Sequence, residues 1–121
     1  MLKWLLIVAL SFGFGGCSLV CGIDVVVVNE GATPVTDLTV SYSGGRELVR
    51  ELWPGETLEL SISPKGESDL VINFVDASGQ TRGGKINVHF SHDDRGRIDI
   101  RLDKAGKVLS NYKITSCVSL N

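Results

Sequence analysis

From Asp24 to the end of the chain, apolar and polar residues alternate with a period of two, and short clusters of turn residues interrupt the alternation. Val25–Val28 is a continuous β-branched run, the pattern of a strand buried on both faces. Beyond the turn 29–34, Leu38, Val40 and Tyr42 alternate with Asp37, Thr39 and Ser41. Ser43-Gly44-Gly45 leads into a segment in which Leu48 and Leu52 are the apolar positions. Pro54-Gly55-Glu56 breaks the chain before Leu58, Leu60 and Ile62. The second half repeats this design, with inward sets Leu70/Ile72/Phe74, Ile86/Val88/Phe90 and Ile98/Ile100/Leu102, and a last strand over 107–114. Lys85, Asn87 and His89 fall on the outward parity. No stretch after residue 24 keeps a period of 3.6. About seven to eight short strands at 8–12-residue spacing predict a single all-β domain, an immunoglobulin-like antiparallel β-sandwich over 24–116. A small barrel shares the pattern. If Val88 faces Ile100 across a hairpin, parity sets Lys85 opposite Asp103 and His89 opposite Asp99, two complementary pairs. Trp53, Tyr42 and Tyr112 are expected at the core or its rim. The competing reading of Trp53 is an exposed aromatic that anchors a partner or stacks on a sugar.

The first 23 residues follow another rule. After Met1-Leu2-Lys3, the run Trp4 to Ile23 carries no charge over 20 residues. Such a run suits a membrane-spanning helix over 4–23. It also suits a signal peptide with its apolar centre at Trp4–Phe14 and small residues at a cleavage site. Gly13, Gly15 and Gly16 favour the second, because each glycine inside a helix costs roughly 1 kcal/mol against alanine. Phe14-Gly15-Gly16-Cys17 resembles the lipobox of bacterial lipoproteins. That family usually has leucine where Phe14 stands and alanine or serine where Gly15 stands. The resemblance implies a signal peptide over 1–16, acylation of Cys17 (palmitate being typical), a tether over 17–23, and a tail over 117–121. Ser18 after the cysteine implies, in a Gram-negative cell, passage to the outer membrane. Lys3 stays inside, so lipid or helix alike leave the β domain outside the cytoplasm, anchored in the envelope.

Three cysteines are present, Cys17, Cys21 and Cys117. If Cys17 carries lipid, Cys21 and Cys117 remain, and an oxidising compartment permits a disulfide between them. The alternative has Cys21 within a membrane helix and Cys117 free.

The formal net charge of −2 excludes strong polyanion binding by the domain as a whole, and no nucleic-acid partner is expected. The charge is uneven along the chain. From Asp24 to Gly79 there are 3 basic and 10 acidic residues, and from Gln80 to Asn121 there are 8 basic and 4 acidic. Either the second half forms a basic edge for anionic lipid or polymer, or the oppositely charged strands pair with one another.

His89, His92, Asp93 and Asp94 form the sole cluster with metal-ligand chemistry, but without an ordered spacing; a solvent-facing His89 paired with Asp99 and a polar Asp-Asp-Arg-Gly turn explain it better. Ser91-His92-Asp93 are adjacent, whereas triad partners are brought together by the fold. No nucleophile elbow, P-loop or dinucleotide-binding motif occurs. No catalytic residue and no cofactor is therefore expected. Asn29-Glu30-Gly31 and Leu52-Trp53-Pro54-Gly55-Glu56 are similar to turn motifs of bacterial extracellular immunoglobulin-like domains, a resemblance that implies a binding or spacer module. The sequence thus predicts a membrane-tethered, non-enzymatic envelope protein that meets another envelope protein or polymer. A small-ligand- or metal-binding periplasmic lipoprotein is the alternative.

Overall fold

The computed structural model describes residues 21–117. The expected signal peptide over 1–16, Cys17 and the tail from residue 118 lie outside the described residues. Eight strands follow one another: β1 (Gly22–Asn29), β2 (Val35–Tyr42), β3 (Gly45–Leu52), β4 (Thr57–Ile62), β5 (Ser68–Val75), β6 (Thr81–Phe90), β7 (Asp94–Leu102) and β8 (Val108–Ser116). They form two four-stranded sheets, ordered β4-β1-β7-β8 and β3-β2-β5-β6. The fold is the all-β sandwich with immunoglobulin-like architecture that the alternation predicts. One ladder departs from the antiparallel rule: β1 runs parallel to β7, Val25 beside Ile98 and Val27 beside Ile100.

The inner faces hold the core. Ile23, Val25 and Val27 on β1 lie against Leu38, Ile72 and Phe74 of the other sheet, all nearly or fully buried. Burial of a side chain of this size is worth roughly 1.5–3 kcal/mol. Val26 and Val28 are only half-buried, so β1 is buried on one face rather than the two expected from its β-branched run. Among the described residues the outer face of its sheet has no second layer, and β-branched residues suit a pleated strand on either face. Gly22 and Ile23 form the first two residues of β1, and Ile23 is a core residue.

On β2 the alternation slips. The register against β5 shifts between Thr36 and Thr39, and Asp37 has φ of 49°. This bulge turns both Val35 and Leu38 inward, three residues apart.

The strand ends define two poles. At one, Cys21 before β1 is bridged to Cys117 after β8, with Cα atoms 5.7 Å apart and a sequence separation of 96. The pole also contains the β4–β5 and β6–β7 connections, joined by the His92 N–H donating to the Gly66 carbonyl at 3.1 Å. At the opposite pole, Asn29 links two turns, and two further turns share one design. Asp76 and Asp103 each accept backbone N–H groups two and four residues on: Ser78 (2.9 Å) and Gln80 (3.0 Å), and Ala105 (2.9 Å) and Lys107 (2.8 Å). Gly79 and Gly106 close these turns.

Candidate functional site

The residues with metal-ligand chemistry are dispersed into local arrangements. His89 on β6 faces its neighbour β5: its Nε2 lies 2.9 Å from Glu67 Oε1 and its Nδ1 3.4 Å from Asp69 Oδ1. His92 meets Asp93 at 3.1 Å, and Asp94 accepts the Ser91 N–H at 2.9 Å. Among the described residues, no group of three or more His, Cys, Asp or Glu side chains is placed to hold a metal ion. Glu67, then Asp69, raise the His89 pKa above its ordinary value, because both carboxylates favour the imidazolium. The Asp69 carboxyl is lowered by Lys85 and then by His89.

These contacts correct the expected pairing of β6 with β7. The two strands belong to different sheets. Lys85 pairs with Asp69 at 3.1 Å, not with Asp103, and Asp99 is engaged by Arg97 at 2.8 Å, not by His89. Parity is identical whichever strand lies alongside, so charge matching alone did not distinguish the two arrangements.

The uneven charge resolves largely into pairing across the two halves of the chain. Arg82 binds Asp76, Lys85 binds Asp69, and Arg101 approaches Glu30 at 3.6 Å. The Asp76 carboxyl, held by Ser78, Arg82 and Gln80, titrates well below the usual carboxylate range. A depression of about 980 Å³ on the outer face of the β1 sheet is lined by Asp24, Arg97, Asp99 and Lys113 among others. Part of its charge is internally matched, since Arg97 holds Asp99, and Asp24 accepts the Ser61 hydroxyl at 2.8 Å.

Sheet edges are the remaining candidates, and the sequence did not show which strands would form them. Four strands lie at edges: β3, β4, β6 and β8. Open edges invite pairing with foreign chains, and proteins commonly blunt them with charge, bulges or shortness. β3 carries Arg46, Glu47, Arg50 and Glu51 within eight residues. β4 has six residues and includes Glu59. β6 is interrupted by a register shift opposite Asp69 and Leu70 and by Gly83 and Gly84, with φ of 114° and 143°. A Cβ at position 83 would lie 2.0 Å from the Ile72 carbonyl oxygen, so only glycine fits there.

β8 is the least protected of the four, with Lys113 as its one charged residue. It pairs with β7 over nine consecutive positions without a shift, from Asp94 opposite Ser116 to Leu102 opposite Val108. Its sequence, VLSNYKITS, contains no proline, glycine or acid and one lysine. Both of its faces are largely exposed. Tyr112, in register with buried Ile98, is 52% exposed, and Leu109 is 37% exposed. A groove of about 590 Å³ runs between β8 and β6, lined by Gly83, Gly84, Lys85, Ile86, Lys107 and Val108 among others.

Two aromatic expectations change as a result. Tyr112 is on an edge and not in the core. Trp53 is 51% exposed, because Leu52 before it takes the core position; its backbone N–H donates to Glu56 Oε1 in the tight turn that follows. Leu48, expected to point inward, is 62% exposed, and Val49 packs on the core in its place. Tyr42 packs against the core rim as expected.

No family model and no curated protein matches the chain. A solved structure described as the NMR structure of the protein from Eubacterium rectale is similar to it, at 17% sequence identity and a TM-score of 0.53, over 74% of this chain and 86% of that one. That likeness shows the fold, a β-sandwich.

Proposed function

We propose that this chain is a membrane-tethered, non-enzymatic interaction module of the cell envelope, anchored by lipid on Cys17. One observation carries the interaction part: among the described residues, β8 is a long, regular edge strand with less protection than the other three edges. Strand addition to such an edge gains main-chain hydrogen bonds for an incoming segment. Two features support the tether. Cys21–Ile23 belong to the folded domain, which leaves Trp4–Val20 as the uncharged run. As a helix at about 1.5 Å per residue that run would be roughly 25 Å long, at the lower limit for a ~30 Å hydrocarbon layer. An acyl anchor has no such length requirement. The oxidised Cys21–Cys117 pair also suits a compartment outside the cytoplasm.

The test is extraction of the chain from membranes in mild detergent, followed by intact mass measurement and analysis of what co-purifies. Expected are cleavage before Cys17 with two or three acyl chains, a gain of about two mass units on reducing one bridge, and a stoichiometric partner. An unmodified full-length mass rejects the lipid anchor. Hydrolase or redox turnover abolished by a point mutation rejects the non-enzymatic reading.

A further inference from the structure

Resting on that reading, we infer that the β8 edge receives an extended acidic peptide segment whose inward side chains are apolar. Charge gives the first argument. The hairpin from Lys104 through Ser116 contains Lys104, Lys107 and Lys113 and no acidic residue. None of these lysines forms an ion pair among the described residues, while Arg82, Lys85, Arg97 and Arg101 each have an acidic partner. Asp103, at the start of the turn, is occupied by the backbone N–H groups of Ala105 and Lys107. A segment laid along β8 meets Lys113 on the outer parity and passes Lys107 at the end of the groove.

Shape gives the second. Val108, Ser110, Tyr112 and Ile114 share the inner parity of β8, in register with Leu102, Ile100, Ile98 and Gly96. The facing edge has no side chains at Gly83 and Gly84, and a Cβ at position 84 would meet nothing within 4 Å. Alternate side chains of an added strand therefore enter a groove with Ile86 and Val108 on its walls, and the others face solvent beside Lys113. The recognised pattern is apolar inward and acidic outward.

Other occupants fit less well. A second copy pairing β8 with β8 brings two such hairpins together, three lysines each, with no acid between Lys104 and Ser116 to offset them. An anionic membrane fits poorly because Lys104 and Lys107 occupy the pole opposite the Cys21–Cys117 bridge, from which the tether leaves.

The experiment uses the full chain in detergent micelles and fluorescently labelled nine-residue peptides alternating valine with glutamate, or valine with lysine. The glutamate peptide should bind about tenfold tighter, the effect of a few screened charge contacts. Lys113→Glu should weaken the preference, and Lys107→Glu combined with Lys113→Glu should reverse it, while the circular dichroism spectrum stays unchanged. N-methylation of the amides on one parity of the glutamate peptide should abolish binding, and on the other parity should not. Equal binding of the two peptides, no binding of the glutamate peptide, dimerisation through β8, or a preference for anionic over neutral vesicles that Lys113→Glu lowers would each overturn the assignment. A photoreactive group at Leu109 or at Leu48 separates this inference from the reading beneath it. Cross-linking of a co-purified partner through Leu48 alone keeps an interaction module and rejects β8, whereas the absence of any partner rejects the module itself.

Discussion

The side-chain amide of Asn29 donates to the backbone carbonyl of Leu52 at 2.9 Å, joining the end of β1 to the end of β3 across 23 residues of sequence. The same amide donates to the Thr33 carbonyl at 2.9 Å, and its oxygen accepts the Gly31 N–H at 2.9 Å. The backbone of Asn29 exchanges two further bonds with Gly55 and Glu56. Asn29 is nearly fully buried, so its polar atoms have little access to water.

Replacement of Asn29 by alanine should therefore be costly. It leaves the Leu52 carbonyl and the Gly31 N–H short of a partner, and each buried unsatisfied group costs about 1–3 kcal/mol. A loss of roughly 2–5 kcal/mol is expected in urea denaturation. Asn29→Asp should be no better, since it replaces two donors by acceptors facing two carbonyls.

Reduction of the Cys21–Cys117 bridge should lower stability by up to about 4.7 kcal/mol on chain-entropy grounds for a loop of ~100 residues. The paired Cys21→Ser and Cys117→Ser variant should match the reduced protein in thermal unfolding. Identical melting of oxidised and reduced protein would show that the loop is already constrained when unfolded.

His89 sets a pH dependence. Its pKa is raised in the folded state, so its contribution is fully present below the unfolded value near 6.5 and is lost as pH rises through the folded value. The melting-temperature difference between the native chain and His89→Gln should shrink across that interval. Asp76 has the opposite sign. Its depressed carboxyl contributes above the unfolded value near 3.8, and the contribution is lost as pH falls toward the folded value. Asp76→Asn should remove that acid sensitivity.

Asp37 holds φ of 49° within β2. Asp37→Gly should be neutral or stabilise slightly, while Asp37→Val should destabilise by about 1–2 kcal/mol, the cost of left-handed backbone for a branched residue. Equal stability of the two variants would argue that the bulge relaxes on substitution.

The strands and their inward faces were legible because burial imposes a period of two, which Ile86/Val88/Phe90 and Ile98/Ile100/Leu102 obey. Asp76 and Asp103 each precede a glycine by three residues, so their turns could be read as well. Neighbours were not legible. Alternation assigns a residue to a face but does not choose the adjacent strand, and consecutive β6 and β7 enter opposite sheets. For the same reason β8 could not be singled out as an open edge. The boundary near Ile23 was obscured because a membrane and a protein core select the same apolar residues. Trp53 misled because Leu52 before it takes the core position, which leaves Trp53 exposed at the start of the turn.

The cysteine bridge also changes what a proteolytic cut can accomplish. Because it joins residues at the two ends of the folded domain, the polypeptide from 21 to 117 is covalently a ring. A single cleavage in any surface turn opens that ring and releases no fragment of it. On the proposed tether, release takes a cut before Cys21, or a cut within the ring followed by a second cut or by reduction of the bridge. A protein clipped once within the ring keeps all of its residues and gains only one water.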